Sequence, residues 1–315
     1  MAGTILVLGE TVDGQLTRLS MEVATLARQL GEAGGLTVAG GVVGPEPRAA
    51  AEELARHTGG EVTAVADDAR SSAAWAAGQD VDYIVLGASP DGRDTAGTLS
   101  VLLDVGVLAN ATAVSWEDGG PIVEMSVFGG KLITRSGFTG GKGIITVRPN
   151  AVAAEPAAEP GSVSESKPGA GTDQAEVRVV DRIAEAGAAA SIEEARVIVS
   201  GGRGVGGEEG FKLVQELADA LGGAVGATRA AVDAGWINYS QQIGQTGKIV
   251  KPQLYLALGV SGAIQHKVGM QTADTIVAVN RDPDAPIVEF ADLVVVGDLF
   301  EVGPALLAEL KARQS

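Results

Sequence analysis

The chain has 315 residues, a formal net charge of -17 and 45% hydrophobic residues, which predicts two domains that each bury a core. The acidic charge and the 3% aromatic content argue against nucleic acid and anionic membrane surfaces as partners, because phosphates repel such a chain and few rings can stack on bases. The chain contains no cysteine, so disulfides, thiolate catalysis and cysteine-ligated metal centres are excluded.

The amino-terminal third alternates short apolar runs with amphipathic stretches. The apolar runs predict buried strands at 4–9, 36–43, 62–66 and 83–87, and the stretches between and after them predict helices at 18–31, 47–57, 71–78 and 95–108. Such alternation is typical of a mainly parallel sheet with helices on both faces. The first strand starts at Thr4 without a preceding basic region or long apolar segment, so we expect no signal peptide, no membrane insertion and a cytoplasmic location.

The pattern changes after residue 108. Strands at 112–116, 122–128, 132–136 and 144–148 follow one another across glycine-rich turns, which predicts antiparallel pairing at one edge of the sheet. Residues 151–172 are rich in Ala, Pro, Glu, Ser and Gly without apolar periodicity, and we interpret them as a linker. The predicted domains are therefore 1–150 and 196–315, joined by a linker and connecting segment over 151–195.

The second domain begins with a strand at Arg196 and continues with strands at 224–227, 254–259, 275–280 and 293–297 and helices at 208–221 and 299–312. After the first strand, the glycines of 202–207 fit the G-x-G-x-x-G pattern of dinucleotide-binding domains, which is weak evidence alone. The second strand leads into Thr228 and Arg229 instead of the expected acidic residue. An NAD(P)-dependent dehydrogenase, with Gly202, Gly204 and Gly207 at the dinucleotide and Arg229 on a 2'-phosphate, is therefore the alternative function.

Residues 242–266 combine a polar loop, a buried strand and the start of a helix, and they outline a ligand site. The strand at 254–259 is apolar throughout, which predicts burial on both faces, and the ligand would lie at its carboxyl end. We expect Ser261 to cap the following helix and Gly262 to let a ligand approach free N–H groups, where the helix dipole favours a phosphate or a reduced ring. The polar side chains that converge there are Gln242, Gln245, Thr246, Gln265 and His266.

Several cations follow the strands of this domain in an otherwise acidic chain. Ligands of open α/β sheets bind outside the carboxyl ends of the strands, so we interpret Arg203 and Arg229 as facing a ligand, with solvated surface as the alternative. For the lysines of the same domain the two interpretations are balanced. These lysines are Lys248, Lys251 and Lys267, and Arg281 also follows a strand closely.

The two histidines, His57 and His266, show no spacing typical of a metal site, so no metal is expected. His57 lies on a helix predicted to be exposed, and we interpret it as a residue without a functional role. His266 can instead donate a hydrogen bond to an anionic acceptor. Asn280 and Asp298 end strands, where each either bonds a ligand hydroxyl or makes a turn or cap. No Ser-His-Asp arrangement or carboxylate pair is evident, so the site resembles a cofactor holder without acid-base or nucleophilic apparatus.

Ordered motifs of the second domain resemble the alpha (large) subunit of electron-transfer flavoprotein. They are Val199-Ser-Gly-Gly-Arg-Gly, Ala227-Thr-Arg-Ala-Ala-Val-Asp-Ala-Gly, Gly244-Gln-Thr-Gly-Lys, Ser261-Gly-Ala-Ile-Gln-His, Val279-Asn-Arg-Asp and Gly297-Asp-Leu. The first domain agrees more loosely, through Gly87-Ala-Ser, the predicted helix around 94–107 and the Gly129-Gly-Lys turn. The resemblance covers nearly the whole chain apart from the predicted linker.

This resemblance implies one FAD, held mostly by a carboxyl-terminal domain of the FAD/NAD-binding type shared with deoxyhypusine synthase. Arg229 would lie against the isoalloxazine ring, Thr246 near its N5 edge and His266 near its pyrimidine carbonyl, where a cation and a hydrogen-bond donor favour the reduced, negatively charged ring. Thr228 stands where many relatives have serine, which keeps the hydroxyl. The implied FAD contacts are Arg203, Thr228, Arg229, Gln242, Ile243, Gly244, Gln245, Thr246, Ser261, Gly262, Ala263, Ile264, Gln265, His266, Asn280, Asp298 and Leu299.

The resemblance also implies a function and partners. The protein would be an electron carrier without substrate turnover of its own, taking electrons from flavin dehydrogenases such as the acyl-CoA dehydrogenases of fatty acid oxidation. It would pass them to a quinone reductase or another acceptor. A beta subunit, which carries AMP in this family, would complete a heterodimer.

Overall fold

The computed structural model describes residues 3–67, 72–128, 132–166, 192–193 and 195–314. The chain divides into two compact units, Met1–Arg182 and Ile183–Ser315, each with its own sheet and helices, which confirms the predicted pair of α/β domains. The division falls between 167 and 191, outside the described residues, so the predicted boundary at 196 stays a prediction, while the first unit continues past the predicted boundary at 150. No helix in the described ranges is long and apolar enough to cross a membrane.

The first unit is built on a sheet of nine strands in the described part of the chain. The strands are β1 (Thr4–Gly9), β4 (Thr37–Gly44), β5 (Glu61–Ala66), β6 (Tyr83–Gly87), β7 (Val107–Glu117), β8 (Gly120–Val127), β9 (Leu132–Ser136), β10 (Gly143–Val147) and β11 (Val163–Ser166), and a separate hairpin is formed by β2 (Thr11–Val12) and β3 (Gln15–Leu16). The sheet order is β11-β5-β4-β1-β6-β10-β7-β8-β9, parallel up to the β10–β7 pair and antiparallel beyond it.

The helices of this unit are α1 (Arg18–Gly34), α2 (Arg48–Thr58), α3 (Ser72–Ala77) and α4 (Pro90–Leu103). Both faces of the central strands carry buried apolar clusters, as the uninterrupted apolar runs predict. Helix α1 begins where the Thr17 hydroxyl accepts from the Ser20 N–H, and it ends at Gly35, whose φ of 65° suits glycine. Local capping chemistry therefore sets the ends of this long helix.

Two predictions for this unit are wrong. Helix α4 ends at Leu103 and β7 already begins at Val107, whereas the apolar run predicted a helix up to residue 108. Strand β10 is not part of the antiparallel edge, because it inserts between β6 and β7 and pairs in parallel with both. The antiparallel arm is therefore limited to β7, β8 and β9, and the chain returns from the arm to fill the sheet interior.

The linker interpretation is wrong for residues 151–166. Strand β11 extends the sheet in parallel with β5, and the Val62 N–H donates to the Ser162 carbonyl at 2.9 Å. Further upstream, the Thr25 hydroxyl and the Glu155 backbone exchange hydrogen bonds of 3.0 and 3.1 Å. The segment needs no apolar periodicity, because backbone hydrogen bonds at a sheet edge hold it in place. Residues 167–172 and the Gly129-Gly-Lys turn lie outside the described residues.

The second unit is a five-stranded parallel sheet within the described residues. Its strands are β12 (Val197–Gly201), β13 (Ala224–Ala227), β14 (Leu254–Leu258), β15 (Thr275–Asn280) and β16 (Leu293–Val296), in the order β13-β12-β14-β15-β16. Its helices are α5 (Glu208–Ala220), α6 (Arg229–Asp233), α7 (Ile264–Met270) and α8 (Leu299–Gln314). Because all five strands are parallel, their carboxyl ends meet at one edge, which is where ligands of such sheets bind.

The glycines that follow β12 serve close packing of two loops. A Cβ at Gly204 would lie 2.7 Å from the Gly259 Cα, and one at Gly202 would lie 2.3 Å from the Gly259 carbonyl oxygen. Gly259 itself has a φ of 60°, which favours glycine. The turns after β12 and β14 therefore touch each other directly, and this contact accounts for two of the glycines of the G-x-G-x-x-G pattern.

Candidate functional site

A cleft of about 740 Å³ lies at the carboxyl ends of β12, β13, β14 and β15. Its walls come from the turns that follow these strands and from the loop that precedes β14, as the sequence predicts. The predicted site residues that line it are Arg203, Thr228, Arg229, Ile243, Gly244, Gln245, Thr246, Ser261, Ala263, Gln265, His266 and Asn280.

The loop over residues 242–248 forms one wall of the cleft and is anchored at both sides. The Ile243 N–H donates to the Ala227 carbonyl at 2.9 Å, which ties the loop to β13, and the Gln245 N–H donates to the Gln265 carbonyl at 2.8 Å, which ties it to α7. At Gly244, with a φ of 142°, a Cβ would approach the Gln265 carbonyl oxygen to 2.8 Å. The loop is therefore a preformed wall in which glycine is required at 244.

The side chain of Gln242 orients a hydroxyl on this wall. Gln242 is 2% exposed, and its Nε2 donates to the Thr246 Oγ1 at 3.1 Å. A hydroxyl that accepts in this way keeps its own proton to donate. Tyr239, which is largely exposed at the rim, donates to the Thr246 carbonyl at 2.7 Å, so Thr246 is held from two sides.

Two cations line the cleft. Arg203 lies in the single 3-10 turn after β12, and Arg229 is the first residue of α6, where its Nε lies 3.2 Å from an Asp233 carboxylate oxygen. Both members of that ion pair are exposed, so the attraction between them is weak and the guanidinium can turn to another acceptor. The other cations that the sequence suggests do not line this cleft. Lys248 pairs with Glu193, Lys267 lies over the Phe290 ring, Arg281 pairs with Asp298, and Lys251 is not among the residues that line the cleft.

Thr228 presents a hydroxyl that the protein does not satisfy. Its Oγ1 is buried and has no hydrogen-bond partner among the described residues, although Thr228 occupies the N-cap position of α6. A buried hydroxyl without a partner loses hydration free energy, so such a group next to a cleft is suited to a ligand. This hydroxyl is the local indication that the cleft is shaped for an occupant with a polar group at this point.

His266 is buried in the wall between the cleft and β14, and both of its ring nitrogens have protein partners. Nδ1 lies 3.0 Å from the Ile243 carbonyl oxygen and Nε2 lies 2.8 Å from the Tyr255 hydroxyl. Burial lowers the pKa of His266 to about 4, so the ring is neutral at physiological pH. In this arrangement no ring N–H remains to donate to an anionic acceptor, so the expected donor role is not realised.

Five predicted contacts do not line the main cleft. Gln242 acts through Thr246, and Gly262, with a φ of 80°, packs so closely that a Cβ would lie 2.3 Å from the Ile287 nitrogen. Ile264 is 60% exposed, and Leu299 borders a smaller cavity of about 90 Å³ that shares Gly204, Gly259 and Asn280 with the main one. Asp298 lines neither cavity.

The polar residues at the strand ends also have structural partners. Asn280 donates from Nδ2 to the Val260 carbonyl at 2.8 Å and accepts from the Asp282 N–H, so it makes a turn while it lines the cleft. Asp298 accepts from the Phe300 N–H at 2.9 Å, and this bond and Arg281 lower the pKa of its carboxyl group. The capping interpretation therefore describes Asp298. Ser261 does not cap α7, because the N-cap residue of that helix is Ala263.

Several residues of the cleft escaped the sequence analysis. Asp233 lies four residues after Arg229 on one helix, a spacing that predicts an ion pair. Asp282, Ala285 and Pro286 follow β15 beyond Asn280, in a stretch without periodic signal. Tyr255 lies on an apolar strand behind the cleft wall and does not line the cleft. Because a fully buried phenol has to find a hydrogen-bond partner, its presence predicts a polar neighbour.

Outside the cleft, the structure also shows the surroundings of His57 and Trp236. His57 is 5% exposed, because α2 packs it inward with its Nδ1 3.0 Å from the Glu53 carbonyl, so the prediction of an exposed position is wrong. Trp236 is partly buried and packs against the apolar cluster of the second unit. The described residues contain no group of three or more His, Cys, Asp and Glu side chains placed to hold a metal ion.

Fold and cleft together are those of an α/β protein with a ligand-sized cleft at the carboxyl edge of a parallel sheet, which is where proteins of this class bind nucleotide-type cofactors. Comparison with protein families identifies the class. Residues 191–271 match the electron transfer flavoprotein FAD-binding domain, and residues 5–185 match the electron transfer flavoprotein domain. The chain belongs to the electron transfer flavoprotein family, and FAD is the cofactor of its second unit.

Curated relatives agree along the whole chain. The electron transfer flavoprotein subunit alpha of Mycobacterium leprae is 42% identical over 98% of each chain. The subunits of the same name from Bacillus subtilis and Paracoccus denitrificans are 37% and 38% identical, covering 99% and 97% of this chain and 98% and 99% of their own. None of these matches supports the NAD(P)-dependent dehydrogenase alternative, and the loop packing described above accounts for Gly202 and Gly204 without a dinucleotide.

Proposed function

We propose that this chain is the alpha subunit of an electron carrier that holds FAD in the cleft at the carboxyl ends of β12–β15 and has no substrate turnover of its own. The observation that carries the proposal is the chemistry of the cleft. Arg203 and Arg229 place positive charge in the cleft of a chain of net charge -17, beside Asp233 and Asp282, and the Thr228 hydroxyl has no hydrogen-bond partner among the described residues. These groups suit a bulky anionic cofactor with hydroxyl and carbonyl groups.

Each wall of the cleft contributes a different function. The arginines attract phosphate or a reduced ring. This attraction is stronger inside a cleft than on an open surface, because less water screens the charges. The Thr246 hydroxyl, oriented by Gln242, has a proton to donate, and the Thr228 hydroxyl has both a proton and lone pairs. FAD, when bound, supplies the ring that accepts and releases electrons.

The cleft lacks what a hydrolase or dehydrogenase requires of its protein. Among the described residues that line it, His266 is the one imidazole, and its two nitrogens bond Tyr255 and Ile243. The carboxylates that line it, Asp233 and Asp282, are exposed to solvent, so neither is desolvated as the general base of a closed site would be. This arrangement supports electron transfer through a held cofactor over a proton-transfer reaction on a substrate.

The proposed assembly is a heterodimer with a beta subunit that carries AMP. The relatives are named alpha subunits, which supports a second type of subunit, and exposed apolar side chains on the antiparallel arm, Phe128, Leu132 and Ile133, favour association of the lone chain. The proposed electron donors are flavin dehydrogenases such as the acyl-CoA dehydrogenases of fatty acid oxidation. A quinone oxidoreductase or another carrier is the proposed acceptor, and the cytoplasm is the proposed location.

The direct test is to co-express the full chain with a beta subunit and to record the visible spectrum of the purified complex. We expect a one-to-one complex with a flavin band, and chromatography of the heat-released cofactor should identify FAD. Light scattering of the chain expressed alone should show aggregation. A colourless complex, or one that instead binds NAD(P) and reduces it with a substrate, would overturn the proposal.

Two variants at Thr228 test whether the cofactor occupies this particular cleft. Thr228→Val removes the unpartnered hydroxyl and keeps the shape, so FAD affinity should fall about fivefold to thirtyfold, equivalent to about 1–2 kcal/mol. Thr228→Ser keeps the hydroxyl and should retain most of the affinity. The flavin-free form of Thr228→Val should unfold at the same or a higher denaturant concentration than the parent, because no described residue bonds that hydroxyl and the substitution removes a buried group that has lost its hydration.

A further inference from the structure

The described end of the connecting segment, residues 192–193, meets the second unit at the loop over 242–248 that forms one wall of the cleft. Ile192 is 7% exposed and belongs to the same buried apolar cluster as Ile243 and Val250, which lie in that loop and just after it. Next to it in the chain, the Glu193 Oε2 accepts a hydrogen bond from the Lys248 Nζ at 3.0 Å. Two consecutive residues before β12 are therefore held here, one by apolar packing and one by an ion pair.

Lys248 is the residue that closes this loop. Its backbone N–H donates to the Gln242 carbonyl at 2.8 Å, and its own carbonyl accepts from the Gly244 N–H at 3.1 Å. The stretch enclosed by these bonds contains Gln245 and Thr246, which line the cleft. A contact that fixes Lys248 therefore also fixes the part of the loop that faces the cleft.

The ion pair between Lys248 and Glu193 is partly shielded from water. The two side chains are 35% and 37% exposed, whereas Arg229 and Asp233 of the cleft are 66% and 62% exposed. Because the attraction between opposite charges grows as less water surrounds them, the Lys248 pair is held more strongly than the pair in the cleft. Glu193 also offsets the charge of the lysine, which leaves the positive charge of the cleft to the arginines that line it.

We propose that Glu193 is a positioning residue of the FAD cleft: by accepting from Lys248 it holds the point at which the loop over 242–248 closes, while Ile192 seats the segment on the second unit. This inference rests on the proposed function, because the cleft is assigned to FAD. Glu193 and Lys248 do not line the cleft, so they act on the cofactor through the loop. The end of a segment that the sequence pattern assigns to a connection thus helps to retain the cofactor.

The first test is the rate at which FAD leaves the complex of the full chain with its beta subunit. Glu193→Gln keeps the shape and removes the charge, so FAD should dissociate about twofold to fivefold faster, as expected for one partly exposed ion pair. The difference from the parent should shrink at about 1 M salt, because salt screens the ion pair that the parent still has.

Glu309→Gln is the matched control for this rate. It removes the carboxylate that pairs with Arg313 at 2.8 Å on α8, and neither residue lines the cleft, so FAD should leave this variant as it leaves the parent. An unchanged rate in Glu193→Gln would overturn the proposal. A faster rate whose ratio to the parent is the same at high salt would overturn it too, because the effect would then not come from an ion pair.

A double-mutant cycle tests whether Glu193 acts through Lys248. Lys248→Met keeps an unbranched apolar side chain and removes the charge, so it should accelerate FAD release by a similar factor. In the Lys248→Met background, Glu193→Gln should have little further effect, because its partner is already gone. Factors that multiply in the double variant would mean that the two residues act independently, against the proposal.

Amide hydrogen exchange of the flavin-free complex separates this inference from the proposed function. In Glu193→Gln the Lys248 and Gly244 amides should exchange about twofold to fivefold faster, because both of their hydrogen bonds depend on the position of Lys248. The amides of β14, which follows the loop in the chain, should exchange as in the parent. If the parent complex binds no FAD, the proposed function fails, while equal exchange in the parent and in Glu193→Gln would show that Glu193 does not hold the loop.

Discussion

Arg229 is the side chain whose charge and shape can be tested separately. Its guanidinium is exposed and weakly paired with Asp233, so we expect it to turn toward bound FAD. Arg229→Lys keeps the charge but loses the planar, stackable group, so FAD should remain bound with a lower first reduction potential. Arg229→Ala also removes the charge and should lower that potential by about 60 mV relative to the parent, equivalent to about 1.4 kcal/mol.

The measurement for Arg229 is a stepwise reductive titration followed by absorbance. Lys212→Ala is the control, because Lys212 is an exposed cation on α5 that pairs with Glu209 away from the cleft. Equal potentials in the parent and both Arg229 variants would place this guanidinium away from the ring. The expected role of Thr246 near the ring would then lose its support.

At the residue scale, the sequence identified groups by position and missed the partners that define their chemistry. Arg203, Thr228 and Asn280 were accessible because they follow strands, and parallel strands bring their carboxyl ends together. The neutral state of His266 was not accessible, because it depends on Tyr255 and on a carbonyl from a distant loop. The local motif predicts that an imidazole is present at this position. It does not predict the surrounding groups that set the pKa of that imidazole.

Among the secondary structure elements, the segment before and including β11 carries a prediction about stability. The fully buried Thr25 hydroxyl on α1 accepts from the Glu155 N–H at 3.0 Å, and it shares its one proton between the Glu155 carbonyl at 3.1 Å and the Met21 carbonyl of its own helix at 2.9 Å. Thr25→Val keeps the shape and leaves both backbone groups without this partner, so the free energy of unfolding should fall by about 1–2 kcal/mol.

Urea denaturation of the first unit measures this change. Thr98→Val on α4 is the matched control, because the Thr98 hydroxyl is exposed and bonds only its own helix, at the Asp94 carbonyl. Its unfolding free energy should stay within about 0.5 kcal/mol of the parent. Equal effects of the two substitutions would mean that the Glu155 contacts do not stabilise the unit.

The secondary structure elements show which parts of the fold a sequence pattern predicts and which parts it does not. Strands such as β1 and β6 were found because their apolar runs reflect burial on both faces. The partner of β10 was not found, because periodicity describes the faces of a strand and not its neighbours. The packed segment around β11 was missed for a related reason, since a strand held by backbone bonds at a sheet edge has no required side-chain pattern.

On the scale of the whole molecule, the chain is strongly acidic while the cleft is balanced in charge. The chain carries a net charge of -17, yet Arg203 and Arg229 line the cleft of the second unit beside Asp233 and Asp282. An acidic exterior discourages nonspecific binding of polyanions, while a few local cations still hold one anionic cofactor. The composition predicted the first property, and the second required the sheet topology that gathers those cations.

The insertion of β10 between β6 and β7 has a consequence for the order of assembly during synthesis. The arm of β7, β8 and β9 can pair locally as soon as it emerges, but the gap beside β6 stays open until residues 143–147 are made. Premature pairing of β7 with β6 would fill that gap. The irregular backbone of β7 opposes this error, because Asn110, with a φ of 63°, interrupts the regular strand conformation that a continuous ladder with β6 requires.

We therefore expect the first unit to close its sheet late, with the arm already formed. Pulsed hydrogen exchange during refolding should show protection of β8 and β9 amides before those of β6 and β10, which should become protected together. Simultaneous protection of all four strands would contradict this order. A ribosome that pauses between β9 and β10 would hold an unfinished sheet with a free edge at β6, so the interval between the synthesis of these two strands is when this chain is most vulnerable to aggregation.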